Sequence, residues 1–123
     1  MKFSILLFAL AGIIKLSLKT NKSIRELIRY KDNTYVIMTK DGKRGIRFII
    51  SNGTFATDRV LTDYDLAMVW KDAETGFRVL TSGDPVGMQR AIANWDLELY
   101  GNKSLSVWFT IFLGFATGAL KRK

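Results

Sequence analysis

Two segments of this chain are apolar on every side: Phe3 to Ile14, and Ser104 to Leu120, which holds 17 residues without a charge. A surface helix needs only one apolar stripe, so helices built from these segments are expected to be covered on several sides. The cover can be the chain's own core, a partner chain, a bilayer or an apolar ligand. The first segment is shorter than the roughly 20 residues that span a bilayer as a helix. Lys2 before it and the small-x-small pattern Ala9-Leu10-Ala11 leave three readings open: a helix of the domain, a signal sequence or a membrane contact. The second segment would rise about 25 Å as a helix, just under the hydrocarbon thickness. With Gly114 and Gly118 at small-xxx-small spacing and Lys121-Arg122-Lys123 as a flank, it allows an alternative reading, a membrane-anchored interaction protein spanning at 104–120. Against an anchor stand Ser104, Ser106, Thr110 and Thr117, which dilute it, and the tight Gly101-Asn102 connection where a flexible linker would be usual.

The chain has 123 residues, 48% of them hydrophobic, enough for one core with about two-thirds of the unfolded surface buried. It has no Cys and no His, which excludes disulfides, a thiol nucleophile, a Cys/His zinc site and an imidazole base. The carboxylates Asp63, Asp65, Asp72 and Glu74 cluster in sequence but match no metal loop and have no nucleophile beside them, so they read as solvated surface. Gly42, Gly45 and Gly53 read as turn residues and not as a phosphate loop, and Trp70 and Trp95 as core anchors. The expectation is a non-enzymatic protein with no metal and no cofactor. The net charge is +8, with +5 in residues 1–30, −4 in 61–100 and +4 in 101–123. Basic ends beside long apolar runs suit anionic lipid headgroups, and no nucleic acid is expected. A cytoplasmic setting, peripheral at a membrane, fits this pattern and the lack of Cys; the oligomeric state stays open.

Lys15, Lys19, Lys22, Glu26 and Arg29 recur at three and four, which predicts amphipathic helix, with Ser23 and Glu26 at capping-box spacing where it breaks in two. Strands are expected at Thr34 to Thr39, Ile46 to Ile50, Thr54 to Thr57 and Tyr64 to Trp70, with turns at Asp41-Gly42 and Asn52-Gly53, as an antiparallel meander. A helix opening at Lys71 to Glu74 should stop at Ser82-Gly83, and Asp84-Pro85 should start another carrying Val86, Met88, Ala91 and Ile92. Asp96 to Tyr100 alternates as a half-buried strand does. No linker or repeat interrupts this, so residues 1–123 read as one domain, with 1–29 an apolar and basic helical part and 30–120 the sheet and its helices.

The order of strand, helix closing on Ser82-Gly83, Asp84-Pro85 helix, strand Leu97 to Tyr100, and Gly101-Asn102 leading into an apolar helix resembles the sterol carrier protein 2 family of lipid-binding domains. Ile46 to Thr57, with its Asn52-Gly53 turn, is similar to the family's hairpin. The resemblance implies an α/β (α+β) domain: an N-terminal helix, a five-stranded sheet, two short helices between the last two strands, and an apolar C-terminal helix over an internal cavity. It also implies a lipid as partner, whether fatty acid, sterol or isoprenoid, held by a carrier or by an accessory domain of a pathway such as quinone biosynthesis. Carried over by position, the cavity would be lined by Phe48, Phe55, Met88, Ile92, Trp108, Phe109 and Phe112. Two departures stand out: Asn94 where the family often has Gly, and an N-terminal segment far more apolar than a soluble carrier needs.

Overall fold

Two turns and two caps decide where the chain stops being helix and becomes sheet. The computed structural model describes residues 2–81 and 86–112. Helix α1 (Lys2–Thr20) is followed by α2 (Lys22–Ile28), with an angle of 108° between them. The break is at Asn21, whose side chain accepts hydrogen bonds from the Ser23 and Ile24 amides at 2.9 and 3.3 Å. The expected Ser23/Glu26 capping box does not form, because Asn21 already takes the Ser23 amide and Glu26 pairs with Arg29 at 3.4 Å. Arg25 Nη1 donates to the Leu18 and Lys19 carbonyls, satisfying acceptors that α1 leaves open at its end.

The strands are β1 (Asp32–Thr39), β2 (Gly45–Ser51), β3 (Thr54–Asp58), β4 (Leu66–Trp70) and β5 (Leu97–Gly101), in the spatial order β3-β2-β1-β4-β5. Between β2 and β3, Asn52 and Gly53 adopt φ of 48° and 91°, the left-handed pair that matches strand twist in a two-residue hairpin. Helices α3 (Ala73–Thr81) and α4 (Gly87–Ala93) lie between β4 and β5, and residues 105–112 form the helical stretch α5. Asp72 caps α3 by accepting the Thr75 amide at 2.7 Å, which holds its carboxyl below the usual carboxylate range. The expected stop at Ser82-Gly83 and start at Asp84-Pro85 lie outside the described residues. The sequence expectation of an α+β, five-stranded architecture holds.

The meander does not continue into the fourth strand. β4 pairs with β1 in parallel, with Tyr35 opposite Leu66 and Thr39 opposite Trp70. The reason is that all five β4 residues are buried, and a strand apolar on both faces needs an interior place in the sheet. Residues 59–65 carry the chain from the β3 edge to β4 across the sheet face opposite the helices. There Leu61 and Tyr64 pack on Val36, Ala67 and Val69. Arg47 holds this crossing: Nε and Nη2 donate to the two Asp58 carboxylate oxygens at 3.0 and 2.7 Å, and Nη1 donates to the Thr62 carbonyl at 2.9 Å.

The helices cover the other face. Leu7, Leu10, Ala11 and Ile14 of α1 and Ile24 and Ile28 of α2 meet Tyr35, Ile37, Phe48, Ile50, Met68 and Trp70 of the strands in one core. α1 is therefore covered along one stripe, not all round as its composition suggests: Ile5, Phe8 and Leu16 remain exposed. Among the described residues no single helix is long and apolar enough to cross a membrane, and the bent pair of α1 and α2 passes by length and composition only together. Trp95, expected in the core, is 77% exposed. It sits at φ 62° in the tight turn out of α4, where its amide donates to the Ile92 carbonyl and the next amide, of Asp96, donates to the Ala91 carbonyl. The turn directs Ala91 inward and leaves Trp95 outside.

Candidate functional site

Six aromatic rings from three strand residues and one turn-and-a-half of helix form a continuous series beneath α5. Phe55 meets Phe48 at 5.8 Å between centroids, and Phe48 meets Phe109 at 5.9 Å. Phe109 stacks on Tyr35 at 4.3 Å with planes 6° apart, Tyr35 lies 5.8 Å from Trp108, and Trp108 stacks on Phe112 at 5.1 Å. Parity explains the strand contributions: Tyr35, Phe48 and Phe55 lie on the helix-facing side of neighbouring strands, with Phe48 opposite Tyr35 across β1 and β2. Helical spacing explains the rest, since Trp108, Phe109 and Phe112 lie within one turn and share a face.

Phe48, Tyr35, Phe109 and Phe112 have no exposed surface, so these four rings pack directly against one another and the core. One ring within the series is electrostatically marked, because Lys31 Nζ stands 4.5 Å from the centre of the Trp108 ring. The Tyr35 hydroxyl donates to Asn33 Oδ1 at a long 3.5 Å. Burial, and secondarily the Asp65 carboxylate, push the Tyr35 phenol up to about 12. Trp70, also fully buried, carries a ring N–H without a hydrogen-bond partner among the described residues.

Of the seven residues expected to line a cavity, Phe48, Phe55, Trp108, Phe109 and Phe112 come together in this series, and Met88 packs against the same core. Ile92 does not: it is 42% exposed, because Ala91 carries the inward position of α4. Tyr35 and Lys31 belong to the site and escaped the sequence reading, whereas Trp70, expected as a core anchor, is fully buried in the core. Tyr35 is flanked by apolar neighbours on both faces of β1, so its side could not be assigned from alternation. No group of three or more His, Cys, Asp or Glu suited to a metal occurs among the described residues.

No protein-family model matches the chain, and no curated protein matches it in sequence. Solved structures do. A ubiquinone synthesis protein named UbiJ-SCP2 superposes with a TM-score of 0.64 at 15% identity, over 89% of this chain and 96% of that one. The sterol carrier protein 2 of Yarrowia lipolytica, in its apo form, superposes with a TM-score of 0.59 at 13% identity, over 86% and 88%. The sec-alkylsulfatase Pisa1 from Pseudomonas sp. also matches, with a TM-score of 0.53 at 17% identity over 73% of this chain, but only 14% of that protein. Over 86–89% of its length the chain therefore has the fold of the sterol carrier protein 2 domains.

Proposed function

We propose that this protein is a non-enzymatic lipid carrier or lipid-presenting domain that takes an acyl chain, sterol or isoprenoid between α5 and the sheet, at a membrane surface. The single observation that carries this reading is the aromatic series from Phe55 to Phe112, in which Trp108 and Phe109 of α5 stack on Tyr35 and Phe109 meets Phe48 at a tilt. Ring contacts part without breaking a hydrogen bond, so α5 can lift from Tyr35 and Phe48 at the cost of apolar contact alone. A lipid inserted there restores that contact, at about 0.8 kcal/mol for each buried methylene. The fold shared with a ubiquinone synthesis protein and with sterol carrier proteins supports the apolar ligand class, and the partial match to a sulfatase covers too little of that enzyme to carry its chemistry here.

The test is native mass spectrometry of protein purified without detergent, with lipid extraction, beside displacement of a fluorescent fatty acid from delipidated protein. Long chains should displace better than short ones. Absence of saturable binding by every lipid class would sink the reading.

A further inference from the structure

Among the described residues one cation faces a ring of the aromatic series: Lys31, the last residue before β1. Its Nζ, 4.5 Å from the centre of the Trp108 ring, bridges the sheet and α5 at the place where the two would part. Two other cations stand over rings, Arg29 on Tyr30 and Arg59 on Phe8, but those aromatics lie outside the series. Lys31 is half-buried, and among the described residues it makes no ion pair.

Strand parity keeps carboxylates away from it. Tyr35, Phe48 and Phe55 face the helices, so Asp32, Asp58 and Glu98, the carboxylates of the five strands, alternate to the other face. Asp63 lies in the 59–65 crossing on that same far face, and Glu26 of α2 is matched by Arg29. Asp65 accepts the Thr34 amide at 2.7 Å, three residues along the strand from Lys31 and so about 10 Å away, comparable to the screening length in physiological salt. On the helix side of the sheet Lys31 therefore presents a positive charge that no neighbouring carboxylate neutralises.

That charge discriminates between lipid heads. A hydrocarbon gains nothing from an ammonium, and a hydroxyl gains a single hydrogen bond to it. A carboxylate gains charge-assisted hydrogen bonds in a half-buried place, where water screens less than at the surface. One ammonium matches one negative charge, which a diphosphate head exceeds. From Lys31 the rings lead away through Trp108, Tyr35, Phe109 and Phe48 to Phe55, the path an alkyl chain would take once α5 lifts.

We infer that the ligand is a single-chain lipid with a carboxylate head and that Lys31 selects it, Nζ leaving the Trp108 face to pair with the carboxylate while the chain runs along the rings. The inference rests on the reading above of a lipid held between α5 and the sheet, and it adds the ligand class and the residue that chooses it.

Displacement of a pyrene-labelled hydrocarbon from the delipidated full-length protein would be measured with palmitate, hexadecanol and hexadecyl phosphate, three heads on one chain length. Palmitate should displace about tenfold better than hexadecanol from the native protein. Lys31→Met should weaken palmitate about tenfold and hexadecanol less than about twofold, and Lys31→Arg should keep the preference for the acid. Thermal melts check that the variants fold, and Lys31→Gln, which retains a polar side chain at this half-exposed position, replaces Lys31→Met if that one does not. Equal losses for palmitate and hexadecanol would overturn the inference and leave Lys31 as a clip between β1 and α5. A native protein that does not tell acid from alcohol would overturn it too. Tighter uptake of hexadecyl phosphate than of palmitate, lost with Lys31, would do the same by assigning a phosphate head. Uptake of all three ligands with no effect of Lys31 defeats only this inference, whereas uptake of none, the labelled hydrocarbon included, defeats the carrier reading.

Discussion

The Phe109 ring lies flat on the Tyr35 ring, 4.3 Å between centroids and 6° from parallel, and this one stack joins α5 to the central strand β1. Both rings are fully buried, so the contact is as dry as any in the protein. Phe109→Ala should therefore lower stability by about 3–5 kcal/mol, the range for truncating a buried Phe. In urea titrations a long-chain lipid should recover part of that loss by filling the space, whereas a short-chain one should not.

Tyr35 makes stability depend on alkaline pH. Its phenol is raised from 10.0 to about 12, so the folded state holds the proton more tightly than the unfolded chain does. The contribution is complete below pH 10, the unfolded value, and is lost as pH rises through the folded one. Thermal midpoints of the native protein should fall over that window, and those of Tyr35→Phe should fall less.

Trp70 offers a donor that nothing in the described fold accepts. In the delipidated protein, Trp70→Phe removes an unsatisfied buried N–H, which offsets part of the lost ring volume, so the cost should stay below about 3 kcal/mol. If a ligand's polar atom takes that hydrogen, the variant should lose affinity for lipids bearing a hydroxyl or carbonyl and keep it for a plain hydrocarbon. Equal losses for both would assign Trp70 to packing alone.

Gly101 ends β5 at φ 89°, and a Cβ there would run into the Asp65 carbonyl, which also accepts the Asn102 amide at 2.7 Å. Gly101→Ala should destabilise by more than about 1 kcal/mol, since left-handed strain and a backbone collision act together. Because Asn102 leads directly into α5, the variant should also show faster amide exchange in 105–112 than in β1.

Most elements could be read from the sequence because local rules decide them. Asn52-Gly53 dictates its hairpin, the change from Lys15-type spacing to the Tyr35-Val36-Ile37 run marks the passage from helix to sheet, and Asp72 before Ala73 announces α3. The parallel β1 and β4 pairing was not legible, since it brings Leu66 opposite Tyr35 across the intervening meander, a long-range pairing that no local turn motif announces. In the site, the α5 aromatics were legible from helical spacing. Tyr35 was not, because β1 is apolar on both faces and alternation says nothing there; Ile92 was misplaced because Ala91 takes the inward position of α4, and Trp95 because its left-handed turn leaves the ring outside.

The Arg47 clasp on the 59–65 crossing has a kinetic consequence. β1, β2 and β3 can zip together from neighbouring sequence, but β4 must pass over that finished surface and find β1 from the far side, a closure between Tyr35 and Leu66 that local hairpins do not assist. The sheet is thus two hairpin-like halves joined along a single seam. The guanidinium spanning Asp58 and Thr62 pins the crossing that delivers β4 to that seam, so the slow step of folding should be the arrival of β4 and not the zipping of the meander.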